Sequence, residues 1–156
     1  WRLTVKTGTE KPRWLGPLIV GFQTAKSSDQ LKNPALFDHM KVTNIYALLN
    51  SDRYPLLDQN SDFTQCKISK VYKAFCDFRK DYYGITDSTQ ITPLEFIDLF
   101  PLFVIDLRNQ SEKLRNSVQD MQIKTTFGAN ASANILAYAL LIIHLQSDGN
   151  KFQTIY

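Results

Sequence analysis

Few residues in this chain of 156 are suited to covalent or metal chemistry. There are two histidines, His39 and His144, and two cysteines, Cys66 and Cys76. A zinc or cupin-like metal site wants several such ligands close together, with a carboxylate among them. His144 has no histidine two residues to either side, and His39 lies far along the chain. The cysteines form no C-x-x-C pair. On one helix they would be about 15 Å apart, too far for a disulfide. They read as free thiols. His39, within Phe37-Asp38-His39-Met40, reads as a loop residue bonded to neighbouring backbone. His144 reads as a core or edge residue with one hydrogen bond. No G-x-S-x-G, Walker loop, H-E-x-x-H or Rossmann glycine pattern occurs. No catalytic, cofactor-binding or metal residue is assigned, no cofactor is expected, and an enzyme is the weakest reading.

Asp106 follows an apolar run, Val104-Ile105-Asp106-Leu107. One reading is a catalytic carboxylate at a strand end. The favoured reading is a turn former that accepts backbone N–H groups. Lys67, Lys70, Lys73 and Lys80 could meet phosphate, but Asp77 and Asp81 sit among them. Pairs of Asp77 with Lys73 or Lys80 fit a solvated face. Aromatics are abundant, with seven Tyr and ten Phe. Tyr72, Phe75, Arg79, Tyr82 and Tyr83 fall on one helical segment and are the candidate subunit-contact residues. Exposed aromatics there would make a protein–protein contact. The equal alternative is that they dock the helix onto the rest of the fold.

The elements that must position these residues can be read from periodicity. Hydrophobic residues make up 44% and charged residues 21%, a globular composition long enough for one cored domain. The net charge of +3 is too small to argue for nucleic acid. Arg2–Lys6 alternates as a half-buried strand. Leu15–Gln23 is a second strand, with Gly16 and Pro17 at its start, where proline is tolerated. Val42–Leu49 is a third, ended by Asn50-Ser51-Asp52, and Leu56–Asp62 is a loop.

From about residue 65 to 82 the period becomes helical, through Ile68, Val71, Tyr72, Phe75, Phe78 and Tyr82, with Gly84 placed as a left-handed cap. Thr92, Pro93 and Glu95 spell a capping box for a short helix that ends before Pro101. Leu102–Leu107 is a strand. Met121, Ile123, Thr125 and Phe127 alternate as a one-sided strand. Ile135–Leu145 is the most apolar run, uncharged and too short to cross a bilayer. It reads as a long central strand, covered on both faces or passing from one covered face to another, with a buried helix as the rival. Phe152–Tyr156 forms a last short strand. About six or seven strands, with helices inserted over residues 65–100, predict an all-β antiparallel sandwich rather than a parallel βαβ sheet.

No signal peptide is visible, and Trp1 is not a start methionine, so the chain is expected to be cut from something longer. The sequons at Asn109 and Asn130 read as chance matches.

Ordered blocks along nearly the whole chain resemble a known family. They begin with Trp1-Arg2-Leu3-Thr4-Val5-Lys6-Thr7, Glu10-Lys11-Pro12-Arg13 and Val20-Gly21-Phe22-Gln23-Thr24. Asn33–His39 follows as N-P-x-x-F-D-H, and Leu49–Pro55 as L-N-S-x-x-Y-P. Tyr82-Tyr83-Gly84, Thr92 and Phe96 have counterparts. Val104-Ile105-Asp106 with Gln110, Ser111 and Leu114, and Ala137-Tyr138 before His144, complete the series. Together they resemble the later part of double jelly-roll-like major capsid proteins of Polinton/adintovirus-type elements and related DNA viruses, found in arthropod genomes. Departures are the insertion Arg13–Pro17, Leu107-Arg108 where the family has Cys-Ser, and Leu145-Gln146 after the histidine.

The resemblance implies an antiparallel jelly-roll β-sandwich with a helical insertion, spanning 1–156 as the second half of a double jelly roll and lacking its earliest strand. It implies a capsid-like structural protein that self-associates into trimers of an icosahedral shell. The partners would be further copies of itself, with a minor capsid protein as an additional candidate. Nucleic acid would be met only by enclosure, and no membrane is implied. The location would be the virion, and the cell interior during assembly. A non-enzymatic carbohydrate- or protein-binding sandwich, such as a host-resident copy of a viral gene, is the alternative.

Overall fold

The computed structural model describes residues 2–7, 13–24, 33, 35–85, 91–109, 119–128 and 135–145. The elements run β1 (Arg2–Thr7), β2 (Arg13–Thr24), β3 (Val42–Leu49), β4 (Asp52–Tyr54), α1 (Ser69–Tyr83), α2 (Pro93–Asp98), β5 (Phe103–Asp106), β6 (Gln119–Phe127) and β7 (Ile135–Leu145). One sheet has the order β1–β6–β3–β4 and the other β5–β2–β7. Every pairing is antiparallel. The innermost pair is the hairpin of β3 with β4. Around it lie β2 with β5, then β1 with β6, each pair enclosing the one before.

Period-two alternation explains the core between the sheets. Leu18, Val20 and Phe22 of β2, Ile45, Ala47 and Leu49 of β3, and Met121 and Ile123 of β6 are buried. Phe22 makes edge-to-face contacts with Phe103 at 5.8 Å and Phe127 at 5.7 Å, the geometry aromatic rings prefer. On β6 the alternation holds as expected, with Met121, Ile123 and Thr125 buried and Thr126 exposed.

Several expectations are corrected. Ile135–Leu145 is a strand, but among the described residues it lies at the edge of the three-stranded sheet rather than at its centre. Ile135, Ala137 and Leu141 pack on the core, while Leu136, Tyr138 and Leu140 on the other face are exposed. The apolar run therefore records two different apolar surfaces, one of them outward. Pro17 is not at a strand start. It falls inside β2, where Gly16 and Pro17 oppose a single residue of β7 between the pairs Leu15–Ile143 and Leu18–Leu141. Such a bulge tolerates a residue without an N–H.

The helix begins at Ser69 rather than near residue 65, because Cys66 is left-handed (φ 55°) and Asp62 pairs with Lys67 across a tight turn. Cys66 is thus off the helix and Cys76 on it, and both are free thiols. The strand β4 escaped notice. Asn50 and Ser51 both take positive φ (46° and 87°) and turn the chain back on β3. The helices consequently lie between β4 and β5, the fourth and fifth strands. The expected strand Phe152–Tyr156, the sequon at Asn130 and the His144 side chain lie outside the described residues.

Candidate functional site

The helix α1 carries its aromatics on two faces. Val71 and Phe75 are buried. Phe75 tilts against Phe96 of α2 at 5.0 Å. Tyr72 is half-buried, meets Phe96 at 5.5 Å, and its hydroxyl donates to the Ile91 carbonyl at 2.6 Å. Of the five candidate contact residues, Tyr72 and Phe75 therefore attach the helix to the fold. Arg79 is half-buried, with its guanidinium 5.7 Å from the Phe75 ring centre. Tyr82 and Tyr83 are exposed, Tyr83 to 64%, and form a ring cluster with Phe78. Gly84 ends the helix in the left-handed conformation (φ 65°), its N–H donating to the Lys80 carbonyl. That cap stops the chain directly after the two tyrosines.

The same face continues onto the sheet. Leu136, Tyr138 and Leu140 stand 43%, 49% and 56% exposed on β7, in register with Gln23, Gly21 and Ile19 of β2. Between α1 and β7 runs an apolar groove of about 530 Å³. Ile19 and Gly21 are among its lining residues, Phe78 and Tyr83 line its helix side, and Tyr138 and Leu140 its strand side. Gly21 is required by close approach, because a Cβ there would come within 2.5 Å of the Phe37 ring. That ring in turn meets Tyr138 edge-on at 6.3 Å. The sequence pointed to the helix half of this surface. It missed the strand half, because β7 is apolar on both faces and only its register with β2 separates the outward residues from the covered ones.

Polar contacts fix α1 in place. Asp106 ends β5 and accepts the Arg108 backbone N–H at 2.9 Å, the turn-former role expected for it. The Arg108 guanidinium bridges Asp106 at 2.8 Å and Asp81 of α1 at 3.0 Å. Hydrogen bonding to Arg108 holds the Asp106 carboxyl below its ordinary range, and the same pairs hold the guanidinium proton more tightly. Leu107, beside it, is fully buried. The pair Leu107-Arg108 thus supplies a core contact and the strap between helix and sheet. Lys73 pairs with Asp77 at 2.6 Å along the exposed helix face, as the solvated-face reading requires.

The N-P-x-x-F-D-H block has a structural account. Asn33 accepts the Ala35 N–H, and Phe37 lies over Gly21. The Asp38 carboxylate accepts from both the backbone and the hydroxyl of Thr24 at 2.9 Å. The His39 Nδ1 accepts the Lys41 N–H at 3.0 Å, and its ring stacks on Phe63 at 4.8 Å. Burial lowers the His39 pKa, opposed by the nearby Asp38. Among the described residues no group of three or more His, Cys, Asp or Glu could hold a metal ion. Among them, no helix is long and apolar enough to cross a membrane.

Two antiparallel sheets whose strand pairs enclose one another define a jelly-roll β-sandwich. The chain belongs to the double jelly roll-like domain family, which matches residues 1–146. No curated protein and no solved structure matches it. The resemblance read from the blocks is upheld at the level of the family, and the fold is the antiparallel jelly-roll β-sandwich that it implied.

Proposed function

We propose that this protein is a structural, capsid-type subunit whose task is self-association. The observation that carries the reading is the apolar groove that Phe78 and Tyr83 of α1 form with Tyr138 and Leu140 of β7 on a double jelly roll-like domain. Apolar groups gathered on one face mark an interaction surface, where scattered ones would not. Removing them from water between subunits supplies the driving force. In this reading the chain is the second jelly roll of a longer capsid protein of the Polinton type. It forms trimers that tile an icosahedral shell, assembled inside the cell and present in the virion. Contacts with a minor capsid protein occur at the shell, and nucleic acid is met by enclosure alone. An obligate contact of this kind buries on the order of 2,000 Å² or more.

A binding module is the second reading, and the groove between α1 and β7 favours it. Light scattering on the full-length protein, with negative-stain images of the same fractions, separates the two. Trimers or closed shells support the capsid-type reading. A monomer that persists at high concentration in several salts overturns it and directs attention to ligands of the groove.

A further inference from the structure

We infer that His39 is a proton-sensitive latch on the turn that opens β3: the neutral ring holds the turn closed, and protonation of Nδ1 releases it. The turn runs from His39 to Val42, whose N–H donates to the His39 carbonyl at 3.0 Å. Both central residues, Met40 and Lys41, take a φ of 51°. Turns of that kind are dominated by glycine, asparagine and aspartate, because larger L side chains rarely adopt positive φ. Met40-Lys41 supplies none of these, so the conformation depends on bonds beyond the turn's own closing pair. Two are present. The Gly128 N–H donates to the Lys41 carbonyl at 2.7 Å, and the Lys41 N–H donates to His39 Nδ1 at 3.0 Å.

Only the uncharged imidazole can accept that second bond. With Nδ1 as the acceptor, the ring's one proton is on Nε2. A further proton must enter at Nδ1, and the acceptor becomes a donor facing a donor. The stack of the ring on Phe63 tolerates the charge, since an aromatic face attracts a cation. The hydrogen bond does not. Among the described residues the charged groups acting on the ring are Asp38 and Lys41 of its own segment and Asp98 of α2. Burial, the largest influence, disfavours the imidazolium; Asp38 and Asp98 favour it and Lys41 opposes it, so the transition falls below the ordinary histidine value of about 6.5. Upstream, Asp38 is fastened independently. Its N–H donates to the Phe22 carbonyl at 2.8 Å, and its carboxylate accepts from Thr24. The release is therefore confined to His39–Val42. In mild acid the segment that seats Phe37 at the groove floor keeps its tie to β2 and loses its tie to β3. This holds whether or not the subunits associate.

The test is hydrogen exchange of the full-length protein, resolved to single amides by mass spectrometry, at about pH 7.5 and about pH 5, on either side of the histidine transition. Each rate is referred to the open-chain rate at the same pH. The variant His39→Asn keeps an acceptor for an N–H two residues on, as in an Asx turn, yet does not titrate. In the native protein the protection of the Lys41 amide should fall by at least about fivefold on acidification, with Val42 and Gly128 following it. The Asp38 amide should keep its protection. His39→Asn should hold the Lys41 amide protected at both pH values. A native Lys41 amide equally protected at both overturns the inference. So does a His39→Asn protein that loses the protection as the native one does, since another group then titrates. A loss that the Asp38 amide shares also overturns it, because the opening is then general rather than confined to the turn.

Discussion

Gly21→Ala tests how tightly the floor of the α1–β7 groove is packed. The added methyl would sit 2.5 and 2.6 Å from two Phe37 ring carbons and 3.0 Å from a Leu102 methyl. The Phe37 ring cannot swing away freely. Its backbone N–H bonds the Leu99 carbonyl at 3.2 Å, its neighbour Asp38 is tied to Thr24, and the ring abuts Tyr138. Overpacking of this kind costs about 1–3 kcal/mol. Replacing glycine inside a strand returns about 0.5–1 kcal/mol by restricting the unfolded chain. The net expectation is a loss of about 1–2 kcal/mol, which lowers the melting temperature by about 2–8 °C at this chain size. Urea unfolding measures the loss. The cost should fall in a Phe37→Leu background, with a coupling of about 0.5 kcal/mol or more between the two sites. A neutral or stabilising Gly21→Ala, or additive double-variant energies, would refute the packing argument.

Three further outcomes are expected. Thr92→Ala removes the hydroxyl that accepts the Glu95 N–H and should cost about 0.5–2 kcal/mol in urea unfolding, through loss of the α2 cap. Arg108→Ala should cost less than about 1 kcal/mol, since its ion pairs are half exposed, yet speed hydrogen exchange in the last turn of α1, which it straps to β5. His39 has a folded-state pKa below its unfolded value of about 6.5, so its contribution is present above that pH and is lost as pH falls through the folded pKa. Thermal melts between about pH 7.5 and pH 5 should therefore drop further for the native protein than for His39→Gln.

Much of this fold was legible because its signals are local. The capping box at Thr92 and Glu95, the glycine after Tyr83 and the alternation from Met121 to Phe127 each follow from the chemistry of a few adjacent residues. The position of Ile135–Leu145 was not, because a run apolar at every residue does not reveal which side is covered, and sheet order depends on distant pairings. The chain break at Asn50-Ser51-Asp52 was read, but the hairpin to β4 was missed, because serine rarely takes a positive φ and gives no glycine signal for a two-residue turn. At the candidate surface, Tyr82 and Tyr83 were found from helical spacing. The inward turn of Tyr72 and Phe75 depends on Phe96, about twenty residues further on. Leu136, Tyr138 and Leu140 joined the surface only through their register with β2.

Sedimentation of the full-length protein and its Tyr83→Lys/Leu140→Lys variant tests most directly whether this face drives self-association. Both residues are exposed in the subunit, so the substitutions should leave its circular dichroism and melting unchanged. The account predicts that the native protein sediments as trimers or larger shells, and the variant as a folded single subunit. Equal sedimentation of the two proteins, or a native protein that remains a single subunit, would contradict it.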